Sequence, residues 1–240
     1  MTGNAEAAPQ APQDSNPLRG ALVKYCVMAL VLFCVLRFVS GRSDWYRAWV
    51  YVDLMLGAQI VVGVVLRRVN PALLAERSRL QKGTKAWDKW LAPIVALAGP
   101  LAMWITAALE ARWTWPPKVG LAYSAAALAV CLLGILLTAW AMVSNPFFAA
   151  TVRIQDERGQ VVVDTGPYRL IRHPGYTGAL AFTLATPFAL GSWYALIPAL
   201  LTGAVLALRT ALEDRTLQAE LPGYADYTRR VRDRLLPAVW

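Results

Sequence analysis

The residues best able to do chemistry lie in the last third of the chain. The run Asp164–Gly178, D-T-G-P-Y-R-L-I-R-H-P-G-Y-T-G, holds His173, the only histidine among 240 residues. Further on, Arg209-Thr-Ala-Leu-Glu-Asp214 sets a guanidinium and two carboxylates on one short stretch, and Leu221-Pro-Gly-Tyr-Ala-Asp-Tyr227 adds two phenols. Imidazole can donate or accept a hydrogen bond. Arg209 and Glu213 are four residues apart, so on a helix they share a face and can pair; Asp214 points about a quarter-turn away. Arginine can also grip a carboxylate bidentately. Pro174 and Gly175 suit a turn into a helix starting near Tyr176, and the unpaired N–H groups and positive dipole of such a first turn receive anions. The set could hold a ligand that carries a carboxylate, a pair of ribose hydroxyls or a cation. Each part has a plain structural reading too: His173 as a turn residue, Arg209/Glu213 as a surface pair, Tyr224 and Tyr227 as interfacial anchors. Their occurrence in one order, on one membrane face, favours a site.

The elements that must position these groups are apolar. Hydrophobic residues make up 57% of the chain and charged residues 16%, against averages of about 45–50% and 25% in soluble domains. The apolar residues come in blocks of the length, about 20 residues, that crosses a bilayer as a helix. Six spans are predicted, over about 21–39, 48–66, 91–109, 119–143, 176–190 and 193–212, the last two as a short hairpin distorted by Pro187 and Pro198. Pro100 is expected to kink the third. Asp53 lies inside the second, where a carboxylate costs roughly 2.5–3.5 kcal/mol, so it is expected to pair with a basic residue or to face a polar cavity. Lys24 and Arg37 are placed to snorkel at the ends of the first. Between the fourth and fifth spans, Val152–Gly159 and Val161–Val163 read as a short β-hairpin.

The net charge of +9 sits in the loops, which argues against nucleic acid and orients the bundle. The loop Arg67–Lys89 carries seven basic residues and the tail from Arg209 six. By the positive-inside bias these segments, the Asp164–Gly178 run and both termini are cytoplasmic. Glu110 and Arg112 are expected to anchor helix ends on the other side. Cys26, Cys34 and Cys131 lie in apolar blocks without metal-ligand spacing and read as buried hydrophobes; no metal site is expected. Residues 1–17, rich in Ala, Pro, Gln and Asn, read as a disordered tail.

The run Thr165–Gly178, then Arg209–Asp214, then Gly223–Tyr227 resembles the isoprenylcysteine carboxyl methyltransferase family, which groups with the phospholipid N-methyltransferases, and the tail ending Leu-Leu-Pro-Ala-Val-Trp240 resembles bacterial members. The resemblance covers about 145–240. The apolar blocks give an all-α integral membrane bundle, divided into a four-helix membrane region (18–143) and a catalytic region (144–240). The resemblance implies a small cytosolic cofactor-binding cap, S-adenosyl-L-methionine as cofactor, a lipophilic acceptor entering from the bilayer, and a bacterial inner-membrane location. By matching position, Tyr168, Arg172, His173, Pro174, Tyr176 and Gly178 line the cofactor site with Glu213 and Asp214. Arg209 orients the acceptor's carboxylate, with Glu213 beside it. Asp214 stands where the family has a second Glu. The acceptor implied first is a prenylcysteine-like or isoprenoid carboxylate, with a phospholipid amine or small thiol as alternatives. Membrane sterol reductases, which bind NADPH, carry a related R-H-P-N-Y motif; Gly175 in place of Asn favours the methyltransferase.

Overall fold

The computed structural model describes residues 17–78, 83–113, 119–237 and 239–240, and every regular element among them is helical. Helix α1 (Pro17–Cys34) continues as a π-helical turn over Val35–Val39. Helix α2 (Tyr46–Val69) and the short α3 (Pro71–Ser78) follow. Helix α4 (Asp88–Pro93) passes through a π-helical segment, Ile94–Ala98, into α5 (Gly99–Trp113). Then come α6 (Leu121–Ser144), α7 (Pro174–Leu190), α8 (Leu196–Glu220) and α9 (Tyr224–Arg230). The protein is a polytopic membrane helical bundle.

Four stretches are long and apolar enough to cross a membrane: Tyr46–Val69, Asp88–Trp113, Leu121–Ser144 and Leu196–Glu220. At about 1.5 Å per residue, the 24 residues of α2 and of α6 exceed the ~30 Å hydrocarbon thickness. The predicted first and fifth spans fall on shorter apolar helices: Cys26–Val39 and the 17-residue α7. Large apolar side chains such as Ile60, Val61, Leu133, Leu200 and Leu201 point outward, as lipid-facing positions do. In the third span the distortion is a π segment lying between Pro93 and Pro100. Gly99 N–H reaches back five residues to the Ile94 carbonyl, which absorbs the proline-interrupted ladder.

The main core joins α1, α2, α5, α6 and α7 around Tyr51, Trp104, Cys131 and Ala185. Its polar atoms are satisfied internally: the Tyr51 and Thr186 hydroxyls lie 3.2 Å apart, and Ser124 Oγ donates to the Phe188 carbonyl at 2.7 Å. Helices α6 and α7 touch backbone to backbone. A Cβ on Gly178 would collide with the Gly134 carbonyl and Thr138, and one on Gly134 would come within 2.5 Å of the Gly178 carbonyl. Thr138 Oγ lies in this seam, within hydrogen-bond distance of the Gly134 and Gly175 carbonyls at 2.9 and 3.2 Å.

Two expectations are corrected. Val152–Val163 is not a hairpin. A 3-10 turn over Asp156–Arg158 ends at Gly159 with φ +60°, and the Gln155 N–H is taken by the Gln160 side chain at 2.8 Å, so side chains close the loop where a strand ladder would have. Asp53 is exposed on α2 and forms no ion pair among the described residues. At the far end of the bundle Glu110 accepts from Ser192 Oγ and, at 3.0 Å, from Tyr194 N–H, and Arg112 donates to the Val39 carbonyl at 3.3 Å, so both tie helix ends together. The predicted tail over residues 1–17 lies almost wholly outside the described residues, as does the side chain of Lys24.

The glycine seam gives a direct test. Gly178→Ala should separate α6 from α7 and cost about 1–3 kcal/mol as an overpacked contact, lowering the thermal midpoint of the detergent-purified protein. Gly57→Ala, with nothing within 4 Å of the added carbon, should leave the midpoint unchanged or raise it.

Candidate active site at one end of the bundle

Three pieces of chain meet where α6 ends and α7 begins. The first is the connection after Ser144. The Asn145 side chain accepts the Phe147 N–H at 2.8 Å, forming a turn, and donates to the Tyr168 hydroxyl at 3.2 Å. Gln155 then pins the connection by donating to the Phe147 carbonyl at 2.7 Å. Arg153 binds Glu157 and Glu76, each at 2.6 Å, which fastens the same connection to α3.

The second piece is the entry to α7. His173 occupies the N-cap position, with Pro174 as the first helical residue. Its ring stacks on Tyr176, 5.7 Å between centroids and 6° between planes. The Tyr176 hydroxyl donates to Glu213 on α8. Gly175 lets the Phe148 ring lie against the helix; a Cβ there would fall 2.5 Å from a ring carbon. The tail straps this entry, because the Arg172 and His173 N–H groups donate to the Asp233 and Arg234 carbonyls at 2.9 and 3.0 Å.

The third piece is the end of α8 with α9. Asp214 is fully buried. Arg234 Nε donates to its Oδ2 at 3.0 Å, Gln218 at 2.8 Å, and Tyr224 donates to Oδ1 at 3.1 Å. Arg172 Nε and His173 Nε2 lie 3.1 and 3.3 Å from Oδ1. This carboxylate is the knot between α7, α8, α9 and the tail. Its neighbour Glu213 takes part in no ion pair among the described residues.

The pocket enclosed by these pieces is lined by Phe147, Phe148, Tyr168, Tyr176, Tyr224 and Tyr227, with Asn145, Thr151, Arg153, Gln155, Gln160, Arg172, His173 and Glu213 as its polar groups and Val161–Val163 at one side. Burial pushes the Tyr168 and Tyr227 phenols above their usual range, and burial together with the Asp214 charge does the same to Tyr224. All three therefore stay neutral at physiological pH. Aromatic faces beside one carboxylate suit a cationic ligand.

Of the residues singled out from the sequence, Tyr168, Arg172, His173, Tyr176 and Glu213 line the pocket. The other four do not. Pro174 is buried at the helix start, Asp214 is consumed by its partners behind the pocket wall, and Gly178 lies at the α6–α7 seam. Arg209 binds Asp88 through Nε at 2.6 Å and Nη2 at 3.0 Å, and the Ala150 carbonyl at 2.9 Å. The expected Arg209–Glu213 pair is absent, because a buried bidentate partner outcompetes a neighbour on the same helix. Asp88 had no sequence signal, being an acid in a loop otherwise marked by its basic residues. Gln155 likewise read as one polar residue in a supposed hairpin.

The protein is thus an integral membrane helical bundle with an aromatic, acid-bearing pocket at one end. Residues 127–219 match the model of the isoprenylcysteine carboxyl methyltransferase (ICMT) family. The match runs from within α6 nearly to the end of α8, less than half of the chain, and includes His173, Tyr176, Glu213 and Asp214; over that segment the chain is similar to a family of membrane methyltransferases. No curated protein gives a significant match.

Removing the knot should be costly. Asp214→Ala leaves Arg172 and Arg234 without their counter-ion, and breaking a buried pair in this way costs about 3–5 kcal/mol. For a chain of this size the thermal midpoint should fall by roughly 10 °C, measured on the purified protein without ligand.

Proposed function

We propose that the protein transfers a methyl group from S-adenosyl-L-methionine to a lipophilic acceptor at the cytoplasmic face of the membrane, and that the pocket at the start of α7 holds the cofactor. The match of residues 127–219 to the methyltransferase family supports methyl transfer in general. The observation that carries the cofactor reading is the pocket's pairing of aromatic faces with the half-buried Glu213, which has no ion pair among the described residues. When bound, the cofactor supplies a methyl group on a sulfonium, open to in-line displacement, so positioning is the main demand on the protein.

The residues divide that work. Phe147, Phe148 and Tyr176 exclude water and offer aromatic faces to a cation. Glu213, with the Tyr176 hydroxyl beside it, offers carboxylate oxygen to hydroxyl or ammonium groups. His173, fixed by Asp214 and by its stack on Tyr176, presents an imidazole at the pocket wall. Lys85, Arg153, Arg158, Arg172 and Arg234 lie at this end of the bundle, which supports a cytoplasmic location for the pocket and, with it, an acceptor held at the bilayer surface.

The acceptor favoured is a carboxylate of a prenylcysteine-like or isoprenoid compound. A carboxylate is ionised near neutral pH and needs no base. An amine acceptor is the second reading, favoured by the engagement of Arg209 with Asp88 and by Glu213, a carboxylate within the pocket that could accept a proton.

Membranes carrying the protein should incorporate label from methyl-labelled cofactor into the lipid fraction. His173→Ala and Glu213→Ala should each lower incorporation by about 10- to 100-fold, the loss expected for a charge-assisted hydrogen bond. Full activity in both variants would sink the site assignment. Mild alkali distinguishes the acceptors: label released as volatile methanol marks a carboxyl ester, and label that stays non-volatile marks an amine.

A further inference from the structure

Asp88 opens α4, outside the segment that matches the family, yet it touches two parts of the site. Its Oδ1 and Oδ2 hold Arg209 at 2.6 and 3.0 Å, and Oδ2 also accepts the Val152 N–H at 2.6 Å. The carboxylate is wholly buried and the Arg209 side chain only 7% exposed, so this is a desolvated pair whose carboxylate accepts three hydrogen bonds. The guanidinium carbon lies 5.2 Å from the centre of the Tyr176 ring. On α8 alone, Arg209 and Glu213 share a face and would pair. Instead, Glu213 is met by the neutral hydroxyl of Tyr176.

We propose that Asp88 is a positioning residue for the pocket: by holding Arg209 it withdraws the guanidinium from Glu213 and leaves that carboxylate's charge available to the ligand. The choice of ligand rests on the cofactor reading above; the competition between Asp88 and Glu213 for Arg209 does not. Without Asp88, the nearest carboxylate on the same helix face is Glu213, and their pairing would neutralise the pocket's acid. Because Asp88 also takes the Val152 N–H, it fixes the connection that walls the pocket relative to α8.

The test measures S-adenosylhomocysteine affinity by calorimetry on the full-length protein in nanodiscs. Asp88→Asn should weaken binding by about tenfold, the cost of losing one charge-assisted contact. Adding Arg209→Gln should restore binding to within about threefold of wild type, because no guanidinium is then left to claim Glu213; Asp88→Glu, which keeps the pair, should also bind normally. A double variant as weak as Asp88→Asn, or an Asp88→Asn protein that binds like wild type, overturns the proposal. If Asp88→Asn alone does not fold, the double variant decides: wild-type-like affinity supports the proposal and a tenfold loss overturns it. A ligand-free arm uses thermal unfolding with Arg209→Gln and Glu213→Gln. Their shifts should add while Asp88 is present, and depart from additivity by about 2–4 °C in the Asp88→Asn background. Coupling confined to that background, in a protein whose wild type binds no S-adenosylhomocysteine, would keep the role of Asp88 and overturn the cofactor reading. Additivity in both backgrounds would overturn the role of Asp88.

Discussion

The site is organised around one buried carboxylate. Asp214 draws Arg172 and His173 from the α7 entry, Gln218 from its own helix, Tyr224 from α9 and Arg234 from the tail onto two oxygen atoms. A desolvated charge is tolerated only when its lone pairs are filled and its sign is balanced, so each partner is constrained in both position and direction. The R-H-P turn, the end of α8 and the last helix therefore cannot shift independently. Loops at the end of a helical bundle would otherwise be the least ordered part of the molecule.

A second buried pair, Asp88 with Arg209, does the same for the opposite wall. It joins the start of α4 to the middle of α8 and, through the Val152 N–H and the Ala150 carbonyl, holds the connection between α6 and α7. The two pairs flank Glu213 without forming an ion pair with it. Adjacent acids on one helix thus have opposite fates: Asp214 is spent on structure, and Glu213 remains at the pocket with a phenol for company. Helix geometry accounts for this, since neighbouring residues point about 100° apart and face different partners.

The membrane part serves this end by rigidity. Helices α6 and α7 approach until their backbones touch at Gly134 and Gly178, a contact that lipid-embedded helices favour because close packing replaces the missing hydrophobic drive between them. That seam sets the angle at which α7 rises, and hence where His173 and Tyr176 sit. Helix α7 has 17 residues, and its first turn brings Gly175 and Tyr176 to the pocket wall at one end of the bundle.

Much of this was legible in the sequence, because a bilayer imposes strong local rules. Blocks of apolar residues gave the long helices, and the sole histidine beside Pro174 marked the helix entry. The order of R-H-P turn, acidic pair and Tyr-rich segment marked the site and the family it resembles. What the sequence could not decide was pairing. Arg209 has an obvious local partner four residues away and a better one, Asp88, 121 residues away; Val152–Val163 has the alternation of a strand but no strand to pair with among the described residues; Asp53 looked in need of a partner and faces outward. Helix periodicity and apolar length are properties of neighbouring residues, and they fixed the helices. Which carboxylate holds which cation depends on distances across the fold, and only the tertiary structure decided that Asp88 takes Arg209, Asp214 takes the R-H-P turn and Glu213 is left for the pocket.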